Sequence, residues 1–145
     1  RAGKSSTGSI TGIYTVLVEG DDMDEPIADA TRGILDGHLV LSRELAEMGH
    51  YPAVDVLASV SRLMTTVTEQ DQVSAAQKMR SVLATYRKAE DLINIGAYVR
   101  GSNHRIDEAL SCIDNVNDFL RQPVSAKSTF EETVAKLKSL FPHEE

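Results

Sequence analysis

An aromatic ring that can stack and a guanidinium that can grip phosphate oxygens stand at the two ends of one short segment, GHYPAVDVLASVSR, Gly49 to Arg62. Pro52 fixes its own φ and biases Tyr51 towards an extended backbone, so the Tyr51 ring is carried by a stiff chain. A ring held that way suits stacking on a flat ligand. Ser59-Val60-Ser61 then ends a small, largely apolar run on Arg62. That guanidinium is always charged and offers five donors in a fixed fork that matches phosphate. On spacing alone, the plainer account is a loop tyrosine packed on a neighbour and a solvated arginine, because short motifs recur by chance.

The elements that position these two groups are legible around them. Gly12 to Glu19 is an apolar, β-rich run without helical period, which predicts a strand buried on both faces of a mostly parallel sheet, ended by Gly20. Ile27 to Leu35 reads as a short helix closed by Asp36-Gly37, and His38 to Leu41 as a second, shorter strand. Ser42 opens a helix over Arg43 to Met48, and Gly49 stops it, delivering the chain to Tyr51. From Glu69 the period changes. Val73, Ala76, Met79, Leu83, Tyr86 and Ile93 predict a long amphipathic helix with Gly96 near its end. Ile106, Ala109, Leu110, Ile113, Val116 and Leu120 predict a second, stopped by Pro123. A third follows Ser128, with Glu131 completing a capping box and Phe130, Val134, Leu137 and Leu140 on one face before Pro142. The expected class is α/β plus α: a few parallel strands with helices over residues 1–66, then a helical bundle over 67–145, with the boundary between Met64 and Gln70.

Several apparent sites dissolve on inspection. Ala2-Gly3-Lys4-Ser5 ends like a phosphate-binding loop, but it lacks the preceding strand, the earlier Gly and a helix starting at the Ser. Val16 to Glu19 before Asp21-Asp22 mimics a strand ending in a magnesium-positioning acid, and we read it as chance. Asp21, Asp22, Asp24 and Glu25 glance at a calcium loop without its turn-forming Gly or its ligand spacing, so they are expected to form a solvated loop. His38, His50, His104 and His143 do not fall into metal-ligand spacing, and no metal site is assigned. Cys112, the single cysteine, reads as a small core residue. With 145 residues, 41% hydrophobic and 26% charged, the chain has the bulk for one domain or parts of two. No apolar run is long enough to cross a bilayer and no basic-then-apolar leader is present, which predicts a cytoplasmic protein. A net charge of −7 offers no broad positive field for a phosphate backbone and weighs against nucleic acid as a partner.

Arg1-Ala2-Gly3, then GSITGIYTVLVEGDDMDEPIAD, then ILDGHLVLSRELAEMGHYPAVDVLASVSR resemble the catalytic ATPases of type III protein export, most of all their flagellum-specific branch. Injectisome ATPases come next, and rotary ATP synthase subunits further off. The resemblance covers essentially the whole chain. It implies the C-terminal part of a RecA-like P-loop ATPase core followed by a helical domain. It places Tyr51 against the adenine of the subunit's own nucleotide and makes Arg62 an arginine finger acting in trans on the nucleotide of the neighbouring subunit. FLRQP followed by Phe130 resembles the segment closing the other side of the adenine pocket. Val124 stands where rotary catalytic subunits carry an aromatic, which leaves Phe130 as the second stacking candidate. The family's phosphate-binding loop, metal-positioning Asp and catalytic Glu lie upstream of Arg1, and the chain lacks an initiating Met. This piece is therefore expected to be a truncation that neither turns over ATP alone nor holds a nucleotide, whereas the full-length enzyme uses ATP with Mg2+.

The resemblance also implies a homohexamer, peripheral to a membrane export gate at the inner-membrane export apparatus. Its implied partners are export chaperones, their substrates, a stalk protein and a peripheral-stalk regulator. The connection Ala97 to Asn103 corresponds to the loop through which rotary catalytic subunits touch their central stalk. There it is acidic, whereas Arg100, His104 and Arg105 make it basic here, so any stalk contact differs in sign; a solvated turn explains the loop equally well. The other functional readings are a non-catalytic interaction module that binds export chaperones or the stalk protein, and the equivalent piece of an injectisome ATPase or rotary ATP synthase subunit.

Overall fold

The computed structural model describes residues 2–141, which fall into two compact units divided between Leu35 and Asp36. Pro142 and His143, named above as a helix end and a histidine, lie outside the described residues.

In the first unit, β1 (Gly3–Lys4) pairs antiparallel with β2 (Ser9–Ile10), and the Ser5 amide donates to the Gly8 carbonyl at 2.7 Å. A small hairpin thus takes the place where a phosphate-binding loop would need a helix at Ser5. α1 (Pro26–Ile34) starts with Pro26 in its first turn, where a missing N–H costs nothing. Arg32 reaches back to Asp29 at 3.1 Å and Asp24 at 3.5 Å. Gly12 to Glu19 corrects the expectation of a buried strand: residues 11–18 carry no regular structure, and Ile13 and Leu17 are 94% and 92% exposed. Strand geometry requires a ladder partner for each polar backbone edge, and none of the described strands pairs with this segment.

The second unit is built on β3 (Gly37–Leu41) and β4 (Val54–Ser61), joined through α2 (Arg43–Glu47). Their pairing is antiparallel, as is that of β1 and β2, which corrects the expectation of parallel strands. The connection explains why. A helix of five residues is about 7.5 Å long, too short to return the chain along a strand of about 17 Å, and it is capped at both ends. Ser42 accepts the Leu45 amide at its start. At its end the Gly49 amide donates to Ala46 and the His50 amide to Leu45, with Gly49 at φ 70°. This paired closure needs a left-handed residue, which glycine supplies.

After α3 (Met64–Val67), three helices follow: α4 (Gln70–Asn94), α5 (His104–Leu120) and α6 (Phe130–Ser139). Ala75, Ala76, Met79 and Val82 of α4, Ala109 and Val116 of α5, and Leu137 of α6 form the core, with Val56 of β4, Tyr86, Cys112, Phe119 and Leu140 packed against it. Lys78 pairs with Glu108 across α4 and α5, and Lys138 of α6 with Asp71 and Glu69 at the start of α4. The capping box of α6 lies one residue later than the sequence predicts. Thr129, not Ser128, accepts the Glu132 amide at 3.1 Å, and the Glu132 carboxylate accepts the Thr129 amide at 3.0 Å. That register leaves Phe130 at the first helical position, 67% exposed, rather than on the core face.

Val116 is fully buried. Val116→Ala removes two methyl groups and leaves a gap, so it should lower unfolding free energy by about 2 kcal/mol. Asp114→Ala, exposed on the same helix, should stay within about 0.5 kcal/mol. Urea denaturation of the two variants checks the contrast.

Candidate functional site

The chain between α2 and β4 carries Tyr51 on a backbone tied from two directions. The Ser42 amide donates to the Ala53 carbonyl at 2.8 Å, closing the loop on its own base. The Gln122 amide, in the segment after α5, donates to the Tyr51 carbonyl at 2.9 Å. His50 is buried beside it, whereas Tyr51 is 56% exposed. The peptide between Tyr51 and Pro52 is cis. A main chain held on both sides thus presents an open ring.

The segment that meets Tyr51 is itself folded: the Ala126 amide donates to Pro123 and the Gln122 side-chain amide to the Ala126 carbonyl, both at 3.0 Å. Val124 sits fully exposed in this turn and Phe130 heads α6 beyond it. Of the residues read from the sequence, the structure therefore joins Tyr51 to the FLRQP segment through backbone, and gives Val124 and Phe130 open surface near that segment in sequence.

Arg62 lies at the opposite end of β4. Its amide donates to the Asp36 carbonyl at 2.9 Å and its side chain is exposed. The strand leading to it is irregular. His38 pairs with Val60 and Val40 with Asp55, so β4 runs five residues where β3 runs two. Asp55 Oδ1 accepts the Leu57 and Ala58 amides at 2.9 and 3.0 Å. Ser59 is buried; its hydroxyl accepts the Val40 amide at 2.9 Å and donates to the Asp55 carbonyl at 2.6 Å. From α4, Arg80 donates to the carbonyls of Val56, Leu57 at 3.1 Å and Ser59 at 3.2 Å. About two turns further along the same face of α4, Arg87 pairs with Asp55 Oδ2 at 3.1 Å.

Sequence reasoning missed this clamp. Its signals were an acid, Asp55, inside an apolar strand and an arginine, Arg80, next to the core residue Met79.

The loop after α4 is built rather than merely solvated. Tyr98 Oη and the Gly101 amide both donate to the Asp107 carboxylate at 2.9 Å, and the Asn103 side chain caps α5. Arg100, His104 and Arg105 are exposed around it, together with the apolar Ile95 and Val99. Among the described residues no three His, Cys, Asp or Glu side chains converge as metal ligands, and no helix is long and apolar enough to cross a membrane.

Comparison with known proteins bears directly on this arrangement. Residues 68–139 match the family described as T3SS EscN ATPase C-terminal domain, and residues 1–61 the ATP synthase alpha/beta family, nucleotide-binding domain. The chain is 52% identical over 145 residues to the flagellum-specific ATP synthase of Bacillus subtilis, covering 100% of this chain and 33% of that protein. The assembled ATPase EscN of the enteropathogenic E. coli type III secretion system superposes with a TM-score of 0.92 at 42% identity, covering 97% of this chain and 34% of that one. EscN in complex with its central stalk EscO gives 0.86 at 41% identity, covering 97% and 33%. The chain belongs to the family of type III secretion and flagellar ATPases. Within it, the match is to the C-terminal portion, and the chain spans about a third of the length of the curated relatives it matches.

Two titratable groups near the start of β4 are shifted. Burial would raise the Asp55 pKa, but the Ala58 amide, the hydrogen bond and charge of Arg87 and the Leu57 amide outweigh it and hold the carboxyl below its usual value. Burial, and then the charge of Arg121, hold the His50 imidazole below its usual value. In both cases the unfolded chain binds more protons than the folded one, so stability falls as pH falls. For His50 the loss begins near pH 6.5, the ordinary histidine value; for Asp55 it begins near pH 4 and continues down through the lowered folded value. Thermal melts should show a smaller decline from pH 7 to 5 for His50→Gln, and a flatter profile between about pH 4 and 3 for Asp55→Asn, than for the unsubstituted chain.

Proposed function

We propose that this chain supplies the adenine-facing loop and the arginine finger of a homohexameric ATPase that energises type III, flagellar-type, protein export. In this reading residues 1–66 are the C-terminal part of a RecA-like nucleotide-binding domain and residues 67–145 a helical domain, a division supported by the two families matched on either side of it. The single observation that carries the reading is the bond from the Gln122 amide to the Tyr51 carbonyl. It joins the two segments that would flank an adenine, while leaving the Tyr51 ring open to stack. Phe130, with Val124 in a lesser role, would close the other side. Arg62 stands across the length of β4 from Tyr51, which suits two groups that address two different nucleotides, one in the subunit itself and one in its neighbour.

The chemistry follows from where charge develops. Transfer of the γ-phosphoryl group to water spreads negative charge over its oxygens and the bridge to the β-phosphate. A guanidinium brought from outside the binding subunit stabilises that charge more than it stabilises bound ATP, and makes turnover depend on ring geometry. ATP would arrive with Mg2+, which is assigned to no residue of this chain. Hydrolysis would serve to release and unfold export substrates from their chaperones at a membrane gate, with the enzyme cytoplasmic and peripheral to the inner membrane. EscN, a relative, is known in complex with a central stalk. A stalk contact here would run through the basic loop around Arg100 and Arg105 and favour an acidic partner surface. Nucleotide turnover by the full-length protein separates this reading from a module that only binds chaperones or a stalk.

Two outcomes test the site in the full-length enzyme. Tyr51→Ala should weaken ATP binding by on the order of 1–3 kcal/mol while Tyr51→Phe leaves it nearly unchanged, as measured by nucleotide titration; equal losses would point to the phenol hydroxyl instead of the ring. Arg62→Ala and Arg62→Lys should each lower kcat by roughly 10³-fold with little change in ATP affinity, because lysine lacks the planar fork. Mixing Arg62→Ala subunits with subunits whose phosphate-binding loop is inactivated should restore part of the activity. No recovery in rings shown to be mixed, across a dilution series of unsubstituted subunits, refutes action in trans.

A further inference from the structure

The bulge in β4 inserts three more residues than the facing stretch of β3, and its backbone is held almost entirely by side chains. Arg80 takes the carbonyls of Val56, Leu57 and Ser59, and His38 Nε2 lies 3.2 Å from that of Ala58. Asp55 and Ser59 take up the neighbouring amides and the gap in the ladder. The strand rejoins β3 at Val60 and Ser61, and Arg62 follows at once. An offset of an odd number of residues matters because side chains alternate faces along a strand, so relaxing the bulge into a regular ladder would shift and invert everything after it.

We propose that Arg80 is a positioning residue for Arg62: by holding the carbonyls of the bulge from α4, it fixes where and on which face the finger leaves the strand. The proposal rests on the reading of Arg62 as the group that acts on the neighbouring subunit's nucleotide. It makes a residue of the helical region, engaged with main-chain carbonyls of its own subunit, a determinant of turnover in the next subunit. Arg80 needs the guanidinium fork for this, since three carbonyls are engaged through two nitrogens.

The test uses the full-length ATPase in mixed rings. One subunit carries Arg62→Ala; the other has an inactivated phosphate-binding loop and so serves only to donate its finger. A donor with native Arg80 should restore activity, and a donor with Arg80→Gln should restore at least fivefold less at equal ring assembly. In unmixed rings Arg80→Gln should lower kcat about tenfold or more and leave KM for ATP within about twofold, a split that a general loss of structure would not give. Arg80→Lys, which keeps the charge and the stem, should fall between the two, and carries the same comparison if Arg80→Gln does not assemble. Equal restoration by native and Arg80-substituted donors overturns the proposal while leaving the finger intact. Failure of the native donor overturns the finger reading, and the proposal with it.

Discussion

Four consecutive carbonyls of β4, from Val56 to Ser59, stand outside the ladder with β3, and a guanidinium from α4 needs acceptors where it reaches the strand. A polar backbone group shut away from water without a partner costs free energy, and so does a charge in the same position. Arg80 and the carbonyls of Val56, Leu57 and Ser59 meet each other's requirement, and His38 meets that of Ala58. The contact also brings α4 against β4 beside Val56, which packs on the helical core. From it the rest of the second unit follows. Tyr51 and Arg62 owe their places to a strand whose length, bulge and end are fixed by a helix that begins eight residues after the finger.

What could be read in advance, and what could not, divides along the range of the interactions. Helices with a clear apolar period and local caps, such as α4, α5 and the short α2 between Ser42 and Gly49, declare themselves because their determinants lie within a few residues. The structure starts α6 one residue later than the sequence predicts, since Ser128 with Glu131 and Thr129 with Glu132 are equivalent capping boxes and nothing local chooses between them. The strand expected over Gly12 to Glu19 failed for a different reason: apolar composition states a wish for burial, but a strand exists only where another offers its edge. The antiparallel pairing of β3 and β4 follows from the length of α2, which cannot carry the chain back along a strand, and no local pattern states that limit.

The site was partly legible. Tyr51 and Arg62 stood out by type, and the structure sets them at the two ends of one strand. The parts that hold them did not stand out. Gln122 acts through its backbone amide, which no side-chain pattern encodes. Arg80 acts on backbone oxygens more than twenty residues earlier, so nothing on the strand marks its partner. Prior ordering of the Tyr51 loop has an energetic meaning: a ring whose backbone is already fixed loses little freedom when a flat ligand settles on it.

The two arginines of α4 recognise different kinds of partner. Arg87 recognises a carboxylate, so a change at Asp55 could be answered by a change at Arg87, and the pair is free to co-vary. Arg80 recognises main-chain oxygens, which every amino acid supplies alike. Leu57 and Ala58 can therefore drift without weakening the tether, provided the backbone path is kept. By the same token, no substitution on the strand can compensate for the loss of Arg80. A genetic screen for suppressors should recover partners for Arg87 on β4 and none there for Arg80, so the more consequential of the two contacts would leave no trace of paired change in β4 for a comparison of sequences to detect.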